Sequence, residues 1–370
     1  MTKKEEEKKT HTLKAEPGKF TVTGRALRIP VKGKTKKNNL QKKTTKYPNP
    51  LADALLGIFP KEKAIIPKDH IEKVKKAFGE DFDQVAGVIK DGAGRRVELS
   101  ASEGHLFDVL LAMLKEKSLE AGNPEELTFY GGTELTAITI DAGEITQRRL
   151  ATPGIEATEY EVTKRYTGKQ EIGGKDTENV GKLLKALGEK KVWINLPVAP
   201  ITQKGVKKYE RIWIEEPLIT LTEKKKGKEV LDPETGELKQ EKTTLYGITF
   251  HPVVKSQQTG GFFRLPEPTT EGRTKEKAFQ LFQKSLYRAY SYAIKKKGCT
   301  HEISEEKLFS QCFPEDLKQH RKKRIEEKLK RYIKELQEDG LLLEAIPREG
   351  AKGVIWCFTF NPDHQKTFLN

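Results

Sequence analysis

Residues 317–360 read LKQHRKKRIEEKLKRYIKELQEDGLLLEAIPREGAKGVIWCFTF and carry the clearest pattern of secondary structure in the chain. The first half of this stretch has apolar residues at spacings of three and four, which predicts an amphipathic helix beginning near Leu317. The apolar face consists of Ile325, Leu329, Tyr332, Ile333 and Leu336. Gly340 follows the last turn, where a helix stop is expected. Two short apolar segments come next and predict two strands joined by a glycine-containing turn.

The same helix is strongly basic. Between Leu317 and Arg331 eight lysines and arginines are opposed by two glutamates, Glu326 and Glu327. One face therefore suits a protein core and the other a negatively charged partner. A basic helix followed by a hairpin with a basic tip is typical of a winged helix, in which the helix enters a DNA groove and the hairpin contacts the backbone.

The whole chain sets the class of protein. Its 370 residues predict two or three domains. The three cysteines contain no CxxC pair, so we expect neither a disulfide framework nor a structural zinc site, and no other metal or cofactor. No apolar run approaches the roughly 18 residues of a membrane span, and the charged start MTKKEEEKKT is unlike a signal peptide. We expect a cytoplasmic protein without a membrane partner.

The positive charge is concentrated at the N-terminus. Residues 1–50 contain 13 lysines and 2 arginines against 4 glutamates, a net charge of +11, whereas the whole chain carries +15. The segment also lacks a periodic apolar pattern, which predicts a disordered arm. Such an arm either attracts phosphates without sequence preference or only keeps the protein in solution.

A second helix-turn-helix pattern lies in the first half. Residues 157–166 predict a short helix, and glycines 168, 173 and 174 predict a turn. A further helix is expected from Asp176, a natural N-cap, to Gly188. Strand patterns follow, interrupted at residues 223–243 by a highly charged segment that we interpret as an extended hairpin or as a wing reaching along DNA.

The order of elements is similar in the two halves: a long apolar helix, a short helix, a break, a basic helix and then paired strands. The sequence therefore predicts an α+β fold with two winged-helix domains in tandem after a disordered basic N-terminal arm. The expected divisions are the arm (1–48), a helical extension packed on the first domain (49–98), the first winged-helix domain (99–255), a linker (256–274) and the second winged-helix domain (275–370).

The sequence contains no complete motif of the common catalytic or nucleotide-binding sites. The segment GKQEIGGKDT approaches a phosphate loop, but Gly174 stands where that motif needs lysine. The seven histidines form no His-x-His pair, and no serine or cysteine lies in a recognisable nucleophile elbow. We therefore expect a protein that is not an enzyme.

The segments EYEVTKRYTGKQEIGGKDTENVGKLLKALGEKKVWI (159–194), KKRIEEKLKRYIKELQEDGLLLEAI (322–346) and GVIWCFTF (353–360) give the chain a family resemblance. From residue 99 to residue 360 it resembles the tandem winged-helix initiators of plasmid replication, the theta-type group that binds repeated origin sequences. The resemblance implies double-stranded DNA with origin repeats as the ligand. It also implies host replication proteins such as a helicase or its loader as partners, and an equilibrium between monomer and dimer. A transcriptional regulator or a partner-binding scaffold built from winged helices is the alternative.

The two basic helices supply most of the expected DNA-binding residues. They are Lys175, Thr177, Asn179, Lys182 and Lys185 in the first domain, Lys318, Gln319, His320, Arg321, Lys322, Lys323, Arg324 and Lys328 in the second, and Arg348 and Lys352 in the second hairpin. By residue type, Asn179 is the expected reader of adenine, and Arg321 or Arg324 of guanine. The other interpretation is that these residues form ordinary solvated helix faces.

Overall fold

The computed structural model describes residues 44–56, 88–120, 134–141, 144–203, 206–231, 238–254, 262–266, 276–295, 298–351 and 353–364, which form a mixed α+β fold. The helices are α1 (Asn49–Leu56), α2 (Ala101–Glu120), α3 (Glu159–Thr167), α4 (Gly174–Gly188), α5 (Lys277–Lys295), α6 (Glu305–Cys312), α7 (Pro314–Lys318) and α8 (Lys322–Glu338). The strands are β1 (Thr44–Pro48), β2 (Val88–Lys90), β3 (Arg96–Val97), β4 (Glu134–Asp141), β5 (Glu144–Ala151), β6 (Gly154–Thr158), β7 (Lys191–Gln203), β8 (Val206–Pro217), β9 (Ile219–Leu231), β10 (Leu238–Phe250), β11 (Phe262–Pro266), β12 (Thr300–Ser304), β13 (Leu342–Gly350) and β14 (Gly353–Phe360).

The two halves of the chain share one topology. In the first half a three-stranded antiparallel sheet has the order β6-β10-β9, and in the second half the order is β12-β14-β13. In each sheet the first strand lies between the long helix and the short helix, and the last strand of the hairpin occupies the centre. The helices that precede the hairpin, α4 and α8, follow the short helix in the same order in both halves.

The first half contains two additional hairpins. Strands β4 and β5 lie between α2 and β6, and strands β7 and β8 lie between α4 and β9. Together with β2 and β3 they form a six-stranded antiparallel sheet of order β3-β2-β7-β8-β4-β5. In sequence, 30 residues that include β7 and β8 separate the end of α4 from the β9–β10 hairpin. In the folded structure α4 nevertheless packs directly on β9.

Local sequence signals explain where several helices begin. Before α2, the Ser100 hydroxyl accepts a hydrogen bond from the Glu103 backbone N–H at 3.2 Å, and the Glu103 carboxylate accepts one from the Ser100 N–H at 2.7 Å. This reciprocal capping box satisfies two backbone donors that the helix leaves free. Ser304 caps α6 by accepting a hydrogen bond from the Lys307 N–H at 3.4 Å.

The long charged hairpin predicted at residues 223–243 is present. Strands β9 and β10 pair without a register shift from Ile219 and Phe250 at one end to Leu231 and Leu238 at the other. The two strands of the second hairpin, β13 and β14, also lie where alternation predicted them.

Two of the expected divisions of the chain differ from the structure. Strand β1, at the end of the segment expected to be an arm, pairs with β11, which lies within the expected linker. Tyr47 and Phe263 are register partners, and their ring centroids are 5.5 Å apart. The segment expected to be a helical extension contains α1 but also strands β2 and β3. These pairings join residues far apart in sequence, which composition and periodicity do not detect. The remainder of the arm, residues 1–43, lies outside the described residues.

A buried ion pair joins the two halves. Nζ of Lys284 on α5 lies 2.8 Å from Oδ2 of Asp108 on α2, and the lysine side chain is only 4% exposed. The same Nζ stands 4.9 Å from the ring centre of Tyr47 on β1. Beside this pair, the Gln280 side chain donates a hydrogen bond of 2.9 Å to the Ala101 carbonyl. Helix α5 therefore contacts α2 and β1 through polar groups that are removed from water.

Helix α5 also provides the core of the second half. Its Phe282 ring lies 6.1 Å from the ring of Phe358 on β14, and its Tyr290 ring lies 5.6 Å from that of Phe360. Tyr332 of α8 packs edge-on against Phe279 at 5.1 Å. None of the helices in the described ranges has the length and apolarity that a bilayer crossing requires.

Replacing Lys284 by Met should leave Asp108 buried without a cation, so we expect a loss of about 3 kcal/mol in the free energy of unfolding, measured by urea denaturation. The double variant Lys284→Met, Asp108→Leu should recover most of that loss because neither charge remains. The matched control is Lys334→Met, which removes a lysine 3.9 Å from Glu338 in an exposed pair and should cost less than about 0.5 kcal/mol. Equal losses in the two single variants would contradict the role of the buried pair.

Two buried histidines make stability depend on pH. Burial lowers the pKa of His251 to about 3 and that of His364 to about 4. Nδ1 of His251 accepts a hydrogen bond from the Val253 N–H at 3.0 Å, and Nε2 of His364 lies 3.0 Å from the Tyr287 hydroxyl. Both rings are therefore packed in the neutral form. In the unfolded chain a histidine takes up its proton near pH 6.5, about 2.5 to 3.5 units higher.

We expect the free energy of unfolding to fall as pH is lowered from about 6.5 towards 4, because the unfolded chain then binds protons that the folded chain does not. The variant His364→Gln should reduce the slope by one proton, about 1.4 kcal/mol per pH unit. Urea denaturation at a series of pH values measures both slopes. A variant with the slope of the natural sequence would show that His364 does not carry the effect.

Candidate nucleic-acid interface

Helices α3 and α4 follow one another across a short turn, at the position where the first helix-turn-helix was predicted. The Thr158 hydroxyl caps α3 by accepting a hydrogen bond from the Glu161 N–H at 3.1 Å, and Gly168 ends the helix in the left-handed region at a φ of 66°. Val180, Leu184 and Leu187 form the buried face of α4. The opposite face of α4 is open to solvent, which leaves it available for a partner.

The start of α4 differs from the prediction. Asp176 was expected to be the N-cap, but the helix begins at Gly174 and Asp176 occupies its first turn. Its carboxylate accepts a hydrogen bond from the Gly173 N–H at 3.2 Å and pairs with Lys169 at 2.8 Å. The hydrogen bond with Lys169, followed by that from Gly173, lowers the pKa of Asp176. Asp176 thus caps the helix from its third position, where its carboxylate reaches back to the Gly173 N–H.

The predicted residues of α4 fall into two groups. Lys175 and Asn179 are exposed and have no side-chain partner among the described residues. Lys182 pairs with Glu178 at 2.6 Å, and Lys185 lies 3.6 Å from Glu223 of β9. The Thr177 hydroxyl donates to the Gly174 carbonyl at 2.7 Å, so it serves the helix start. Both ion pairs are well exposed, and such pairs contribute little to the stability of the fold. A DNA phosphate can therefore replace the glutamate in each pair at a small cost in free energy.

In the second half the expected helix from Leu317 is divided into two. Helix α7 ends at Lys318, a turn occupies Gln319 and His320, and α8 begins at Lys322. His320 has a φ of 53°, the left-handed region that costs a non-glycine residue about 1 to 2 kcal/mol. The Arg321 N–H donates to the Asp316 carbonyl at 3.0 Å and closes the turn. The prediction of one continuous helix was therefore wrong over its first five residues, of which Leu317 and Lys318 belong to α7 and the next three to the turn.

Asp316 determines the role of two predicted DNA contacts. Its side chain is 9% exposed, and a buried carboxylate needs a cation or hydrogen-bond donors. Oδ2 lies 2.5 Å from Nζ of Lys328, and Oδ1 lies 3.5 Å from Nε of Arg324. Both cations therefore neutralise a carboxylate of their own fold. Of the two arginines expected to read guanine, Arg321 is the one without such a partner in the described part of the chain.

The remaining cations gather around the α7–α8 turn. The exposed residues without a side-chain partner within the described ranges are Lys318, Gln319, His320, Arg321 and Lys323. Lys322 is paired with Glu305 at 3.4 Å but is itself 69% exposed. The first turn of α8 contains no acidic residue, and Arg321 makes no capping hydrogen bond with its side chain in the described structure. The helix dipole and these cations therefore both favour an anion at this end of α8.

A groove of about 370 Å³ connects this turn to the second hairpin. Its floor is apolar, with Phe309, Ile325 and Val354, and its rim includes His320 and Arg321. Gly353 and Val354, next to the tip of the hairpin, therefore lie beside the start of α8. Arg348 on β13 lies 3.9 Å from Glu302, and Lys352, also predicted as a contact, falls outside the described residues.

Two basic features were missed by sequence reasoning. Lys330 is exposed on α8 and stands two helical turns from Lys323, so both belong to the same outer face. On β9, Lys224 and Lys225 are exposed at the base of the long hairpin. The sequence contained a signal for each: Lys330 follows Lys323 at a helical spacing of seven residues, and the hairpin segment is rich in lysine. It offered none for Asp316, whose cationic partners lie beyond a turn.

Within the described ranges, no group of histidine, cysteine, aspartate or glutamate side chains is placed to hold a metal ion. No protein-family model matches the chain, and no curated protein matches it. Among solved structures, a crystal structure of domain 2 and domain 3 of RctB aligns with a TM-score of 0.34 and 10% identity, covering 75% of this chain and 88% of that one. A structure of RctB domains 2-3 gives a TM-score of 0.28 and 10% identity, covering 64% and 95%. Because both TM-scores are below 0.5, neither alignment supports a conclusion about the function of the present chain.

Lys328→Ala should destabilise the protein by about 2 kcal/mol because the buried Asp316 carboxylate loses its shortest ion pair. Arg321→Ala, at an exposed position without a side-chain partner in the described structure, should change the free energy of unfolding by less than about 0.5 kcal/mol. Urea denaturation measures both. If Lys328→Ala is as harmless as Arg321→Ala, the division of these cations into structural and available ones is wrong.

Proposed function

We propose that the chain binds double-stranded DNA in a sequence-specific way through two tandem winged helices, with α4 and α8 as the recognition helices. The observation that carries the proposal is the shared topology of the two halves. In each, a strand, a short helix and a solvent-facing basic helix precede a hairpin, and the sheet order is the same. A helix placed this way enters the major groove by its first turns, while the neighbouring elements contact the backbone.

The exposed residues at the start of each helix suit base reading. Asn179 matches adenine, to which an amide can both donate and accept, and Arg321 matches the two acceptors of guanine. Lys175, Lys323 and the exchangeable Lys182 and Lys185 suit phosphate, which fixes position without reading sequence. Arg324 and Lys328 support the fold of the second module through Asp316.

The finer proposal concerns biological role. We propose that the chain acts in the cytoplasm as an initiator of plasmid replication at a repeated origin site, without catalytic activity of its own. Host proteins such as a helicase or its loader would then be recruited to the bound DNA, and the protein would exchange between monomer and dimer. The shared core that joins α2 to α5 supports simultaneous use of both modules on one DNA segment.

Selection from a pool of random DNA duplexes tests the binding proposal, because no site needs to be assumed. Enrichment of one sequence is expected. On that sequence Arg321→Ala and Asn179→Ala should each weaken binding by about 1 to 3 kcal/mol, with a smaller loss on random duplexes. Lys334→Ala, which removes an exposed lysine near the far end of α8, is the matched control.

The outcomes separate the alternatives. Equal losses on selected and random duplexes would exclude base reading by these residues. If no sequence is enriched, a scaffold that binds other proteins becomes the better interpretation. A transcriptional regulator would bind a selected site but would not support replication of a plasmid that carries the gene with its flanking DNA, whereas an initiator would.

A further inference from the structure

One edge of the second sheet is open among the described residues. Strand β13 lies at the end of the order β12-β14-β13, and in the described structure it pairs with β14 alone. It has nine residues, whereas β12, at the other edge, has five. Two of its aliphatic side chains face solvent, Leu343 with 58% and Ile346 with 38% of the surface exposed. A long edge strand with exposed apolar side chains is a template for pairing with another strand.

The side chains on the outer face of β13 follow a symmetric pattern. Ala345 is the register partner of Phe358, whose ring is fully buried, so Ala345 belongs to the inner face of the sheet. Because successive side chains alternate between the two faces, the outer face carries Glu344, Ile346 and Arg348 in that order. An acidic, an apolar and a basic residue at equal spacing make the strand complementary in charge to an antiparallel copy of itself.

This complementarity defines one register. When two copies pair with Ile346 at the two-fold axis, each Ile346 lies opposite the other, and Glu344 of either copy lies opposite Arg348 of the other copy. Side chains that are directly opposite on one face of an antiparallel pair are close enough to interact, and opposite charges there stabilise the pairing. The same dimer therefore gains two cross-strand ion pairs and one apolar contact.

Pro347 restricts the alternatives. A proline has no N–H, so it lies on an edge strand where its nitrogen faces away from the neighbouring strand. Backbone groups that face the same way recur at alternate residues, so Ala345 also presents its N–H to the open edge. With Ile346 at the axis, the Pro347 carbonyl of one copy accepts the Ala345 N–H of the other. With Pro347 at the axis, that pair would have no donor at all.

Both charged residues are available for such a contact. The Arg348 guanidinium lies 3.9 Å from the Glu302 carboxylate, and the two side chains are 65% and 62% exposed. Exposed pairs of this kind contribute little, so Arg348 exchanges its partner at a small cost in free energy. Glu344 is exposed and has no side-chain partner within the described ranges.

We propose that β13 is the surface through which two copies of the chain associate, by antiparallel pairing about Ile346 that joins two three-stranded sheets into one of six strands. The inference rests on the monomer–dimer exchange of the proposed function, not on DNA binding, and it names the surface. The segment from Glu344 to Arg348 is about 17 Å long at 3.3 Å per residue. A contact of this size is smaller than that of permanent dimers, so the association is weak and reversible.

Sedimentation equilibrium of the full-length protein without DNA, between about 1 and 200 μM, measures the association. The single variants Arg348→Glu and Glu344→Arg each place like charges opposite one another at both outer pairs. Either should raise the dissociation constant about tenfold or more. The matched control Lys334→Glu reverses an exposed charge on α8, outside the strand, and should leave the dissociation constant unchanged.

Mixing the two single variants gives the decisive measurement. One variant has two acidic residues at the paired positions and the other has two arginines, so a mixed dimer has opposite charges at both pairs. Association should therefore return in an equimolar mixture of two variants that are each monomeric alone. It should also return in the double variant Glu344→Arg, Arg348→Glu, in which the two charges are exchanged.

Thermal unfolding of each variant checks the fold. If a charge reversal proves unstable, Ile346→Thr keeps a β-branched residue in the strand but removes the apolar contact at the axis, and it should also weaken association.

The outcomes separate this interface from the rest of the proposed function. A dimer that persists in both single variants would overturn the β13 interface and place the association on another surface. A mixture that stays monomeric while the natural protein dimerises would overturn it too, because charge would then not act across the axis. A natural protein that is monomeric at every concentration would overturn both the interface and the proposed exchange, whereas selection of DNA duplexes tests sequence-specific binding separately.

Discussion

The ion pair between Lys284 and Asp108 is the constraint on which the arrangement of the two halves depends. A lysine that is 4% exposed requires a counter-charge, because an unpaired buried charge is very unfavourable. The pair binds α5, the long helix of the second half, to α2, the long helix of the first. Burial, together with Asp108, also raises the pKa of Tyr47 well above its ordinary value, so its ring stays neutral beside the lysine. Strand β1 is held at the same point, and one junction thus fixes three segments that are distant in sequence.

The same requirement for pairing divides the basic residues of the second half. The buried Asp316 carboxylate holds Lys328 and Arg324, which removes them from the set of free cations. Arg331 lies 2.6 Å from Glu276, but both side chains are about half exposed, so this pair contributes little and leaves Arg331 available. The residues of the α7–α8 turn have no such partner in the described structure, and they surround the start of a helix whose dipole favours an anion. The charge that is available to a partner is therefore concentrated at the turn, and smaller than the composition of the helix indicates.

The two halves share the strand order of their three-stranded sheets but differ in what is added to it. Both have a central strand that is the last of its hairpin, but the first half adds a six-stranded sheet and a hairpin that extends beyond its sheet by seven residue pairs. Helix α4 packs on β9, and β6 pairs with β10, so both elements hold the base of this hairpin. The first hairpin is consequently longer than the second, whose tip lies close to the start of α8.

Features that depend on near neighbours follow from the sequence alone. Spacing predicted the buried face of α8, and turn and strand patterns predicted both hairpins. Four features arise only in the folded chain: the break at His320, the pairing of β1 with β11, the shared sheet order and the neutralisation of cations by Asp316. The physical reason is that periodicity and capping act over a few residues. Strand pairing and the desolvation of charge depend instead on groups that the folded chain brings together from distant positions.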